Sequence, residues 1–140
     1  MFKLKRILNK TSNSYEVEFF PSMDPVPITK GMIYRLADGF LTSQNMTMMP
    51  DCPLYYALGN AAEEDSYTEV PCVRITDDMV FEADYSGIIS KGMEVCLLYE
   101  NSYAGYEKVT TIPNTETKAD AYVLGNDRSK NKLLITFYAK

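Results

Sequence analysis

One pattern limits this chain more than any other. A glycine-started hairpin occurs twice, and each copy is followed by the same second landmark. Lys30-Gly31-Met32 opens the apolar run Ile33-Tyr34-Arg35-Leu36-Ala37, which turns at Asp38-Gly39 and returns through Phe40-Leu41-Thr42. Lys91-Gly92-Met93 opens Glu94-Val95-Cys96-Leu97-Leu98-Tyr99, which turns through Glu100 to Gly105 and returns through Tyr106-Glu107-Lys108-Val109-Thr110. The second landmark is Tyr56-Ala57-Leu58-Gly59-Asn60 in one copy and Tyr122-Val123-Leu124-Gly125-Asn126 in the other. Each then passes through a polar loop into an apolar strand, at Val73-Arg74-Ile75 and at Leu133-Leu134-Ile135. This order predicts one β unit present twice, near residues 30–76 and 91–138. Turn chemistry also converges on Gly and Asn for local reasons, so any single match of this kind is cheap.

The segments between turns are short and extended. Tyr15, Val17 and Phe19 alternate with Glu16 and Glu18, which predicts a half-buried strand. Pro21, Pro25 and Pro27 then mark an extended connector. Asp38-Gly39 is a two-residue hairpin turn, because both of its central positions want positive φ. Met79, Phe81, Ala83 and Tyr85 share one face of an extended segment, with Glu82 and Asp84 on the other. The closing run, Leu133 to Tyr138, is apolar and β-branched, and no convincing amphipathic helix is present. About nine short strands separated by close turn signals predict an all-β fold, a small β-barrel or a β-sandwich. The expected organisation is a flexible N-terminal arm over residues 1–13 and a single β domain over 14–140.

Composition narrows the function. A formal charge of −5 speaks against non-specific nucleic-acid binding, which needs clustered cations. No apolar run approaches the ~18 residues of a membrane-crossing helix. With no His in the chain, catalytic triads and His-based metal sites are excluded in their usual form. Three isolated cysteines, Cys52, Cys72 and Cys96, make neither a disulfide framework nor a zinc knuckle. They suit a reducing cytoplasm as small buried apolar groups. The glycines form no phosphate loop, and no calcium loop occurs. The adjacent acids Asp77-Asp78 and Glu63-Glu64 read as solvated turn formers, and neither they nor Glu82 with Asp84 read as a glycosidase pair. No cofactor is expected, and the chain is expected not to be an enzyme.

Binding is the remaining theme. Eleven Tyr without any Trp supply rings that can face a partner and keep a polar tip in water. Three segments are candidates. The first is the basic and apolar start, Phe2, Lys3, Leu4, Lys5, Arg6, Ile7 and Leu8, which would order on a partner. Its deletion is then expected to leave the fold intact and weaken binding. The second is the loop holding Met46, Met48 and Met49, an adaptable apolar patch or a cap on the core. The third is the Tyr99–Tyr106 turn, with Tyr99, Tyr103 and Tyr106.

These features, taken in order, resemble a known family. They are the basic start Met1 to Arg6, the Pro-containing connector, the Lys-Gly-Met strand with its Asp-Gly turn (Lys30 to Leu41), Leu54-Tyr55-Tyr56-Ala57, the strand pair Val70 to Tyr85, the second hairpin and the closing strand Leu133 to Phe137. The order resembles the head-decoration, or capsid-cement, proteins of tailed bacteriophages. The resemblance implies a β-rich, non-catalytic virion protein on the capsid exterior, made in the bacterial host cytoplasm. Its partner would be the major capsid protein, which it binds and stabilises, as a homo-trimer, with monomer or dimer as alternatives. Other readings of the same residues are a tail, neck or head-fibre component, or a small β module that binds a glycan or peptide.

Overall fold

The computed structural model describes residues 1–8, 15–22, 27–42, 52–62, 68–98, 105–113, 118–127 and 129–138. Its elements are all strands: β1 (Phe2–Ile7), β2 (Glu18–Pro21), β3 (Ile33–Ala37), β4 (Phe40–Thr42), β5 (Leu54–Ala57), β6 (Glu69–Arg74), β7 (Met79–Ala83), β8 (Tyr85–Ser86), β9 (Glu94–Leu98), β10 (Lys108–Thr111), β11 (Ala121–Asp127) and β12 (Lys132–Phe137). They form a seven-stranded sheet, β1-β7-β12-β11-β9-β10-β8, and a five-stranded sheet, β2-β6-β5-β3-β4. The all-β class is as expected from the sequence, with twelve strands among the described residues where about nine were expected in the chain. Neither sheet closes into a barrel, and the described strands form two separate sheets. The chain divides into two compact units. One holds Met1–Ser14, Thr76–Leu98 and Glu107–Ala139; the other holds Tyr15–Ile75, Tyr99–Tyr106 and Lys140.

Each unit builds the same five strands in the same order. In the five-stranded unit that order is β2-β6-β5-β3-β4, and in the seven-stranded unit it is β7-β12-β11-β9-β10. The register agrees residue for residue. Ile33 lies opposite Tyr56, and Glu94, also one residue after a Lys-Gly-Met, lies opposite Tyr122. Gly31 N–H donates to the Ala57 carbonyl at 3.0 Å, and Gly92 N–H donates to the Val123 carbonyl at 2.9 Å. Cys72 pairs with both Ala57 and Glu18, and Ile135 pairs with both Val123 and Phe81. Glu18 on β2 therefore corresponds to Phe81 on β7, and Leu133-Leu134-Ile135 corresponds to Val70-Pro71-Cys72 rather than to Val73-Arg74-Ile75. The first strand of each unit also bends over to the third. Ser22, just after β2, makes a parallel bridge with Leu41, and Tyr85, just after β7, pairs in parallel with Val109.

Glycine explains the two hairpin starts. Gly31 and Gly92 have φ of 89° and 90°, a conformation nearly free of penalty only without a Cβ. Each sits third in a turn closed by a 3.2 Å hydrogen bond, Met32 N–H to the Thr29 carbonyl and Met93 N–H to the Ser90 carbonyl. Asp38 and Gly39 both have positive φ, 52° and 84°, so the expected two-residue turn joins β3 to β4.

Each unit has its own core. The five-stranded unit packs Ile28, Met32, Tyr34, Leu41, Tyr55 and Val70, with Phe20 and Leu36 against them. The Tyr34 hydroxyl accepts from Thr29 N–H at 2.8 Å, and burial pushes its phenol up to about 12. In the seven-stranded unit Phe137 meets Phe2 and Phe81 edge-on, with centroids 5.9 and 5.5 Å away. Edge-on packing sets the positive rim of one ring against the negative face of the next.

The N-terminal segment is where the structure departs most from expectation. Residues 2–7 are a strand, not a flexible arm. β1 runs antiparallel to β7, pairing Phe2 with Ala83, Leu4 with Phe81 and Ile7 with Met79, with a register shift between Leu4 and Arg6. Phe2 and Ile7 are each only 3% exposed. The pattern Phe2, Leu4 suits alternation, and the bulge beyond it re-aims Ile7 into the core. The rest of the expected arm, 9–13, lies outside the described residues. Phe2→Ala should lower the unfolding free energy by about 3–5 kcal/mol, the usual cost of removing a buried ring. Deleting residues 1–8 should cost more. Urea titration of the two variants checks this, and a full-length stability retained by the deletion would restore the arm.

Candidate protein-binding surfaces

The first exposed apolar surface belongs to β2 and the residues leading into it. Tyr15, Val17 and Phe19 are 39%, 41% and 56% exposed. The segment is half-buried, as its alternation predicts, and these three residues are on the outward side. Glu18 and Phe20 face the core side instead. The Glu18 carboxylate accepts from the Tyr55 hydroxyl at 3.0 Å, and the Phe20 ring meets the Tyr55 ring edge-on at 5.2 Å. Cys72 Sγ donates to the Glu18 carbonyl at 3.5 Å. Burial pushes the Tyr55 phenol up to about 12, with the Glu18 carboxylate adding to the rise. Burial first, then Glu18, carries the Cys72 thiol to about 12. Glu18 is thus a working acceptor at the rim of the core, and the stripe Tyr15, Val17, Phe19 is left to solvent. The clue in the sequence is the doublet Phe19-Phe20, which puts an aromatic ring on both faces and makes alternation alone undecided.

The second surface lies in the other unit. Met93, Tyr122 and Tyr138 are 37%, 36% and 39% exposed, and Glu94 lies opposite Tyr122 across β9 and β11. The Tyr138 phenol is hydrogen-bonded to the Glu94 carboxylate; burial and then that carboxylate raise its pKa. Ser90 N–H points at Met93 Sδ, 3.2 Å away, holding the thioether back over its own turn. Tyr122 and Tyr138 thus make an amphipathic patch beside the Glu94 carboxylate.

A charge cluster occupies the β1 side of the seven-stranded sheet. The Met1 ammonium and Lys132 both bind the Asp84 carboxylate, and Lys5 and Lys130 lie 3.7 and 3.8 Å from Glu82. Glu82 and Asp84, on the polar face of their extended segment, neutralise the cations that β1 brings to the sheet. Burial opposes ionisation of Asp84, but hydrogen bonds from Lys132 and the N-terminus outweigh it and hold the carboxyl below its usual range.

The sequence-derived candidates fall in different places. Lys3 and Arg6 are exposed, Leu4, Lys5 and Leu8 are half-buried, and Phe2 and Ile7 are in the core. Tyr106 is fully buried. It exchanges both backbone hydrogen bonds with Ile33, at 3.0 and 2.9 Å, and the buried Arg35 guanidinium lies 5.7 Å from its ring centroid. It is a core residue of the five-stranded unit and not a partner contact. Gly105 beside it has φ of 91°, and a Cβ there would come within 2.5 Å of the Tyr34 ring. Met46, Met48, Met49, Tyr99 and Tyr103 lie outside the described residues. Among the described residues no group of His, Cys, Asp or Glu could hold a metal ion, and no helix is long and apolar enough to cross a membrane.

No family model, curated protein or solved structure matches this chain.

Two outcomes follow from these environments. Asp84 has a folded-state pKa below its unfolded value, so its contribution to stability is present above the unfolded pKa of about 3.9 and is lost as pH falls through the folded pKa. Urea midpoints measured from pH 6 down to about 2 should fall in that window, and Asp84→Asn should flatten that part of the curve. Cys72 and Cys96 are buried thiols whose pKa values are raised, Cys96 by burial and then by Asp120. An Ellman titration at pH 7.5 should therefore modify Cys52 first and release the other two only on unfolding.

Proposed function

We propose that this chain is a non-catalytic structural protein that attaches to the surface of a protein shell and holds neighbouring subunits together, in the manner of phage head-decoration proteins. One observation carries the reading: each unit presents its own exposed aromatic and apolar patch. These are Tyr15, Val17 and Phe19 in the five-stranded unit, and Tyr122 and Tyr138 beside Glu94 in the seven-stranded unit. Aromatic rings that keep a polar tip wet are favoured at protein interfaces. Two patches on one chain allow two attachments, and the second is then intramolecular and gains from effective concentration.

The acids and thiols support a structural role because they already have partners inside the fold. Glu18 holds Tyr55, Asp84 binds Lys132, and buried Asp120 accepts from Leu97 N–H at 2.9 Å. The thiols of Cys72 and Cys96 are held protonated by burial.

The test is co-sedimentation with assembled shells of a tailed phage that carries this gene. The wild-type chain should pellet with expanded shells and raise their resistance to heat. Phe19→Ser and Tyr122→Ser should each weaken binding by about tenfold or more, as loss of an aromatic anchor does. Both should keep the wild-type urea midpoint, since both side chains are exposed. A chain that stays in the supernatant at micromolar shell concentration would overturn the reading.

A further inference from the structure

We propose that the outer edge of β2 is a strand-addition site, which takes an extended, alternating apolar and basic segment of a partner protein, antiparallel to β2. The inference deepens the reading of the chain as an attachment protein: it names how one partner is held, whether or not that partner is a shell.

The molecule supplies its own template. By register, β2 and β7 are the same strand of the repeated unit, since Glu18 and Phe81 face equivalent residues, Cys72 and Ile135. On β7 the outer edge is filled. β1 lies there antiparallel, with Lys3 opposite Glu82, Leu4 opposite Phe81 and Arg6 opposite Val80. On β2 the corresponding edge carries no strand among the described residues: β2 itself pairs with β6, and β4 joins this side only at Ser22, one residue beyond β2. An edge strand turns alternate N–H and C=O groups outward, a template for another chain. Edges are usually blunted with charged side chains (above all Lys), with Pro or with a bulge. The stretch Tyr15–Phe20 has no Lys and no Pro; its only charges are Glu16 and Glu18, and it exposes Tyr15, Val17 and Phe19.

Charge selects the occupant. β1 carries Lys3, Lys5 and Arg6 with no acid, and it lies against Glu82 and Asp84. The β2 edge is also acidic, through Glu16 and Glu18, which by register stand on the face of Phe81 rather than that of Glu82, so the occupant's alternation is shifted by one residue from that of β1. A second β2 is a poor partner. With the two apolar stripes overlapped on one face, antiparallel pairing sets Glu16 or Glu18 against its like, and opposed like charges destabilise a sheet. The β1 strand of a second copy is also a poor partner, because Phe2 and Ile7 are buried in their own unit. What remains is another protein that brings main-chain hydrogen bonds, apolar side chains for the stripe and cations for the glutamates.

The experiment uses the full-length chain and a capped synthetic peptide with the sequence of Phe2–Leu8, which has the required chemistry. Binding is followed by titration, and its place by backbone hydrogen exchange. The expected result is saturable binding with slowed exchange at alternate amides within Glu16–Phe20. A peptide N-methylated at alternate residues, and one with Glu in place of Lys and Arg, should each bind at least tenfold more weakly. Phe19→Ser in the protein should weaken binding while leaving its urea midpoint unchanged. Four results would overturn the proposal: no binding, equal binding of the N-methylated peptide, protection confined to β7 (exchange with β1), and a mass that doubles with concentration through a protected β2 (self-pairing). Any of these leaves side-chain attachment to a shell standing, and loss of shell co-sedimentation leaves the peptide result standing.

Discussion

Strand register is the constraint on which the rest of this protein depends, and the turn before β3 and its twin before β9 help to set it. Each turn places a glycine at φ near 90° and points its N–H at the carbonyl of the fourth strand of the unit. Because side chains alternate with period two, a slip of one residue there would turn every side chain of the strand to the opposite face. With Gly31 bonded to Ala57 and Gly92 to Val123, Tyr34 and Val95 both point into cores, and Tyr55 and Ala121 face them across the sheet. The same backbone bonds therefore organise two cores with different side chains.

The two copies differ at their margins. The seven-stranded unit covers its first strand with β1 and neutralises the cations of β1 with Glu82 and Asp84. The five-stranded unit leaves its first strand at the edge, with an apolar stripe outward and Glu18 spent on Tyr55. The hairpin loop differs as well. Two residues, Asp38-Gly39, join β3 to β4, whereas the segment between β9 and β10 sends Gly105 and Tyr106 into the five-stranded unit. Tyr106 extends the ladder beside Ile33 there and stacks under Arg35. An insertion in one copy of a repeat has become core of the other unit.

The sequence by itself determined the β class, the two hairpins and the places where the chain turns. Positive φ is a local property, so Gly31, Asp38, Gly39 and Gly92 announce themselves in any context. Period two likewise marks extended chain, and β12 can be read from Leu133, Ile135 and Phe137 alone. Only the tertiary structure decided which face of β2 is buried, that Phe2–Ile7 is a paired strand, and that Tyr106 is core. Alternation has two faces, and at Tyr15–Phe20 both carry aromatic residues; the hydroxyl of Tyr55, 37 residues away in sequence, resolves the choice. A basic, apolar terminus looks the same whether or not a strand awaits it, and β7, which does, lies more than seventy residues on. Whether an edge is filled or open depends on neighbours in space, and no local pattern of residues carries that information.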